Sequence, residues 1–290
     1  MKSRNEKINW AFFGSSNFSV IVLNELETLG LVPDLIVTTP DKPKGRGLKV
    51  ESGPVKAWAE EREIPVFAPA SLKAPETVEE IKNLGPWDVF LVASYGKIVT
   101  PDIFNMPKHE TLNIHPSLLP KLRGPSPIEG AILSEKETGV TIMKIDAEVD
   151  HGPIVSQKSV FLTEWPPYYG DLELILAKEG ADLFADTVTK WINGEIKAQD
   201  QFHSAATFTK KFSKDDLWIT LDDNAEKNLR KIRAFSGNRG VYFFVKQNER
   251  EIRVIVTKAS IKDDLLEIEK VKPEGKKEMS YADFERGLKN

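Results

Sequence analysis

Residues 8–38, INWAFFGSSNFSVIVLNELETLGLVPDLIVT, carry the pattern that decides the fold. The apolar run 8–13 stops at Gly14, and Asn17 then stands where it can cap a helix bearing Phe18, Ile21, Val22, Leu26 and Leu29 at spacings of three and four. A second apolar run, 34–38, follows. Strand, helix and strand in immediate succession make a parallel pair with a right-handed crossover. The rhythm continues with a helix opened by Pro54 and carrying Val55, Trp58 and Ala59, then one carrying Val78, Ile81 and Leu84. Residues 88–93, DVFLVA, are apolar almost throughout, as in a strand covered on both faces. Residues 1–196 are therefore expected to form a Rossmann-like α/β domain, doubly wound around a mostly parallel sheet. Its ligands should sit beyond the carboxyl ends of the strands, where the strand order reverses.

Outward from this core, 139–144 and 153–161 look like two more strands, and 169–193 like a long helix stopped by Gly194. The polar, aperiodic stretch 197–212 reads as a linker. Beyond it a helix is expected over 224–235, with Ala225, Leu229, Ile232 and Phe235 inward and Lys227, Arg230, Lys231 and Arg233 outward. Strand-like runs at 241–245, 252–258 and 265–271 make 213–290 a small, mostly β, barrel-like module. A chain of 290 residues accommodates two such domains. It contains no cysteine, which excludes disulfides, thiolate metal sites and a cysteine nucleophile and suits a reducing cytoplasm. The polar start and the lack of any run near the ~18 apolar residues of a membrane span point to a soluble, unprocessed, cytoplasmic protein. Net charge is -4, but residues 203–290 hold 19 Lys+Arg against 15 Asp+Glu and the remainder 21 against 29. A basic module on an acidic body is either a handle for a phosphate backbone or chance.

Four histidines can be weighed singly. His109 and His203 have the surroundings of solvated residues, and His151 lies in a loop with its role open. His115 stands in Thr111-Leu112-Asn113-Ile114-His115-Pro116-Ser117-Leu118-Leu119-Pro120. Alternation projects Asn113 and His115 to one face, and Pro116 and Pro120 end the ladder there. Alone, the pair fits either satisfied core polar groups or a site. Asp150, in the loop after the next strand, adds a carboxylate, although Asp146, Glu148 and Asp150 together also fit a solvated acidic turn. An amide, an imidazole and a carboxylate on adjacent strand ends form a coherent acyl-transfer set. Amide and imidazolium stabilise an oxyanion, while the carboxylate favours the charged imidazole and accepts a proton from an attacking amine. No Ser or Cys is placed as nucleophile beside the histidine, which favours direct attack by an acceptor amine. Gly14-Ser15-Ser16-Asn17 lacks the dinucleotide-binding spacing. The basic loop 40–49 could grip phosphates or be an exposed turn.

Asn113-x-His115-x-Ser117-Leu118-Leu119-Pro120, followed by Arg123-Gly124, Pro127-Ile128, Gly139-Val140-Thr141-Ile142-Met143 and Asp150, resembles the 10-formyltetrahydrofolate-dependent formyltransferases over most of the chain. The resemblance implies the formyltransferase fold, transfer of a formyl group, catalytic roles for Asn113, His115 and Asp150, and a folate site including Tyr95, Gly96, Ser117, Leu118, Leu119 and Pro120. It implies no metal. Asp41-Lys42-Pro43-Lys44-Gly45-Arg46-Gly47 is similar to the acceptor-stem loop of the methionyl-tRNA branch, implicating Lys44 and Arg46 in tRNA binding. Phe212-Ser213-Lys214-Asp215, Ile232-Arg233-Ala234-Phe235 and the ending from Lys272 to Phe284 are similar to that branch's OB-like barrel. The chain departs at Ser236-Gly237-Asn238-Arg239-Gly240, where the branch has a Pro-Trp-Pro type turn, and its barrel is short, as from an internal deletion. The expected partners are the folate donor and initiator methionyl-tRNA, for a monomeric enzyme of translation initiation. An amino-sugar nucleotide as acceptor, or a non-catalytic folate- or RNA-binding relative, are the alternatives.

Overall fold

The computed structural model describes residues 7–44, 49–237, 240–247 and 250–288. In chain order the elements are β1 (Trp10–Phe13), α1 (Asn17–Thr28), β2 (Leu35–Val37), β3 (Lys42–Lys44), β4 (Lys49–Glu51), α2 (Pro54–Glu60), β5 (Val66–Phe67), α3 (Pro75–Asn83), β6 (Val89–Val92), α4 (Pro101–Phe104) and β7 (Thr111–His115). Then follow α5 (Pro127–Ser134), β8 (Thr138–Lys144), β9 (Ile154–Val160), α6 (Tyr169–Ile192), α7 (Ala225–Ala234), β10 (Val241–Gln247), β11 (Arg250–Lys262), β12 (Leu265–Pro273), β13 (Met279–Ser280) and α8 (Tyr281–Leu288).

Seven strands form one sheet in the order β5-β2-β1-β6-β7-β8-β9. The first five are parallel, β8 runs antiparallel to β7, and β9 runs antiparallel to β8. This is the doubly wound α/β architecture expected. The chain winds outward from β1 through β2 to β5 and returns on the other side at β6, so strand order reverses between β1 and β6. The strands β1, β2 and β6 are buried at every position because helices cover both faces. The cap of α1 is Ser16 rather than Asn17. Its Oγ accepts from Ser19 N at 3.3 Å, and Ser19 Oγ accepts from Ser16 N at 3.2 Å, a reciprocal box that starts the helix one residue earlier.

Packing divides the chain into two compact units: Met1–Gly124, Thr138–Val160 and Leu174–Phe208 in the first, Pro125–Glu137, Phe161–Glu173 and Thr209–Asn290 in the second. These differ from the boundaries expected from composition. Most of the polar stretch 197–212 belongs with the sheet, because Gln199 bridges Ile154 and Phe208 bridges Arg123. The second unit takes in α5, on which α7 packs, and holds the antiparallel sheet β10-β11-β12-β13. Four antiparallel strands are consistent with a small, shortened barrel-like domain. The cations of α7 do not simply face outward. Arg230 Nη1 donates to the carbonyls of Ile132 and Glu135, both at 2.9 Å, and Arg233 donates to that of Pro166. No helix among the described residues is long and apolar enough to cross a membrane.

Candidate active site

The carboxyl-end loops of β1 and β6 meet at the reversal of strand order. Ser15 N and Oγ both donate to Ser94 O, at 3.2 and 3.3 Å, and Gly96 N donates back to Ser15 Oγ at 3.1 Å. Gly14 makes this turn possible: a Cβ there would overlap the Phe12 ring and lie 2.7 Å from Ser19 Cβ. Tyr95, expected beside a folate, turns its ring onto Phe13, with centroids 5.8 Å apart and planes at 85°. Its hydroxyl is buried without a hydrogen-bond partner, and burial pushes the phenol up to about 12.

On the next strand but one from β1, β7 carries Asn113 and His115 at alternate positions, so both project to one face. Asn113 is half-buried; His115 is buried. His115 Nε2 lies 3.1 Å from Leu122 O. A carbonyl only accepts, so Nε2 carries the hydrogen and Nδ1 is the edge turned to Asp150, whose Oδ1 is 3.5 Å away. Asp150 Oδ2 accepts from Gly124 N at 2.7 Å. The structure thus brings His115 and Asp150 together, but not by adjacent strand ends. β8 is antiparallel to β7 and Lys144 pairs with Leu112, so the loop carrying Asp150 leaves from the amino end of β7. Asp150 reaches His115 because that loop folds back across the sheet.

The segment after β7 is strapped in place. Ser117 Oγ donates to Lys121 O at 2.7 Å. Thr141 Oγ1 donates to Ser117 O at 2.6 Å and accepts from Leu119 N at 3.2 Å and Gln157 Nε2 at 2.8 Å, which uses its one hydrogen and both lone pairs. Gln157 Nε2 also donates to Leu119 O at 3.0 Å. Leu118 packs where a Cβ on Gly139 would lie 2.5 Å from its Cδ2, Leu119 is buried, and Pro120 is half-buried. Sequence reasoning missed Thr141 and Gln157 as supports, since their partners lie in a remote loop. Lys44 has its backbone in β3, and Arg46 lies outside the described residues.

His151 and His203 are not independent solvated side chains. Their rings stack 4.1 Å apart with planes 4° from parallel, and His151 Nδ1 donates to Asp146 Oδ2 at 2.7 Å. Asp146 thereby serves His151, while Asp150 serves His115. Among the described residues no three or more His, Cys, Asp or Glu side chains are grouped so that they could hold a metal ion. Within the second unit, α5 and α7 border a cavity of about 370 Å³ lined by Ser126, Glu129, Tyr169, Lys211, Phe212 and Phe235.

The family model described as formyl transferase matches residues 8–166. A methionyl-tRNA formyltransferase from Thermotoga neapolitana is 38% identical over 244 residues, 84% of this chain and 77% of that protein. One from Dictyoglomus turgidum is 34% identical over 304 residues, 96% of each chain. Among solved structures, a sugar N-formyltransferase from Shewanella sp. superposes with a TM-score of 0.64 at 17% identity, over 89% of this chain and all of that one.

Proposed function

The chain belongs to the formyl transferase family, and from that premise we propose that it transfers a formyl group from 10-formyltetrahydrofolate to the α-amino group of initiator methionyl-tRNA. The observation that carries the acceptor is likeness to a methionyl-tRNA formyltransferase over nearly the full length of both chains, C-terminal module included. Lys44 and Arg46 join the C-terminal module in holding the tRNA, and the protein works as a cytoplasmic monomer.

The neutral amine attacks the formyl carbon, a carbon–nitrogen bond forms, and the carbonyl oxygen becomes an oxyanion. Asn113 donates to that oxygen. His115 has Nε2 committed to the Leu122 carbonyl, so it acts through the Nδ1 edge that it shares with Asp150. That edge supports the oxyanion and delivers a proton to the folate nitrogen as its bond to the formyl carbon breaks. Asp150 takes the proton that the amine loses, so one proton is given and one received in each turnover. An α-amino group has a reference pKa of about 7.7 to 8.0, which leaves an appreciable neutral fraction at physiological pH and asks only for a modest base. Tyr95, Gly96 and the strapped segment Ser117, Leu118, Leu119 and Pro120 border the folate.

The sugar N-formyltransferase superposition favours one second reading, an amino-sugar nucleotide as acceptor. Assaying the protein with the folate donor and each acceptor in turn decides between them. Formylation of charged initiator methionyl-tRNA is expected, and formylation of the amino sugar alone would overturn the proposal.

A further inference from the structure

Gln201 lies in the stretch whose polarity suggests a linker, yet it is buried. Its amide has one orientation available. Arg123 Nε and Nη2 lie 3.1 and 2.7 Å from Oε1, and a guanidinium only donates, so that end is the oxygen. The opposite end donates its two hydrogens to the carbonyls of Asp150, at 3.0 Å, and Gly152, at 2.7 Å. Arg123 is held in turn, because its Nη2 donates to His203 Nδ1 at 2.8 Å and His203 stacks on His151.

The two carbonyls belong to the turn that presents Asp150. Asp150 has φ of +52°, a left-handed conformation that strains a residue with a Cβ and that the surrounding hydrogen bonds hold in place. Gly152 closes the same turn against the Lys144 carbonyl, with no room for a Cβ. Gly124 N anchors Oδ2, which leaves Oδ1 for His115. We propose that Gln201 is a positioning residue for formyl transfer: its amide clamps the strained turn at 150–152 and so sets where the Asp150 carboxylate stands, while Arg123 fixes which way the amide points. This rests on the roles given above to Asp150 and His115.

Gln201→Glu isolates the clamp. It preserves size and offers Arg123 a carboxylate oxygen, but sets a second oxygen, with no hydrogen to give, against two carbonyls. The expected result is a kcat lowered about 10- to 100-fold, with KM for folate donor and methionyl-tRNA changed less than about threefold, since a misplaced group costs turnover more than binding. In protein labelled with ¹⁵N-histidine, the His115 ring resonances should move both in Gln201→Glu and in Asp150→Asn. Unchanged kcat with unmoved His115 resonances overturns the inference, as does a loss confined to KM. If the Glu variant does not fold, Arg123→Lys carries the same test, because it keeps the charge but loses the two-pronged hold on Oε1. Wild-type protein inactive toward both acceptors would overturn the functional proposal instead, and the His115 resonances would still decide the clamp.

Discussion

At the end of β7 the candidate catalytic side chains serve the fold unequally. Asn113 is half-buried, and Asn at position 150 would still accept the Gly124 N–H through its amide oxygen. Asn113→Ala and Asp150→Asn should therefore lower kcat by about 10²- to 10⁴-fold while circular dichroism stays native; near-normal turnover in either refutes the roles assigned. His115→Ala is a poorer probe, because it orphans the buried Leu122 carbonyl and should also cost about 1–3 kcal/mol of stability. Tyr95 provides a test in stability alone. Its hydroxyl is buried without a partner, so Tyr95→Phe should raise the melting temperature at neutral pH. The sign of the pH dependence follows from burial raising the phenol from 10.0 to about 12. The protonated form is favoured in the folded state, so its contribution is whole below 10 and is lost as pH rises through about 12. Calorimetry across that window should show the wild type losing stability relative to Tyr95→Phe; parallel curves would mean that the phenol ionises alike in both states.

The turn from β1 into α1 brings local pattern and long-range packing together. Its strand and helix are legible in residues 8–38, because apolar spacing reports which face is covered. The cap is misread by one residue: Asn17 is a good capping residue, but Ser19 reaches back to Ser16 N and also donates to Ala93 O at 2.7 Å, across the reversal of strand order. Gly14→Ala would push a methyl into Phe12 and Ser19 and should destabilise the protein by about 1–3 kcal/mol; an unchanged denaturation midpoint would show that this turn relaxes freely. The same division runs through the candidate site. Asn113 and His115 are readable together because alternation within one strand sets their common face. The fold-back that returns Asp150 to His115 leaves no such periodic trace, since it follows from the antiparallel register of β8 on β7. Gln201 and Thr141 are invisible for a related reason: their partners lie 49 or more and 16 or more residues away in sequence, and hydrogen bonds at that range impose no local pattern.

Over the whole molecule, charge bears on the acceptor. The surplus of Lys and Arg after residue 203 suggests a grip on phosphates, but part of it is spent inside the second unit. Lys227 pairs with Asp223 at 2.6 Å, Arg230 with Glu226 at 2.8 Å, and Arg233 lies over the Tyr168 ring. Exposed Lys214, Lys246, Lys262, Lys272, Lys276 and Lys277 remain toward solvent, with acids interspersed. A module of this kind should neutralise only about three to five phosphates, giving a slope of log affinity on log salt of about −2 to −4. Between 50 and 200 mM salt, binding of initiator tRNA should then weaken roughly 15- to 250-fold, as read by fluorescence anisotropy. Reversing Lys276 and Lys277 together to Glu should flatten that slope. An amino-sugar nucleotide carries too few phosphates to give such a slope. Binding of tRNA insensitive to salt would therefore remove the electrostatic argument for a nucleic-acid acceptor and leave the sugar nucleotide as the stronger candidate.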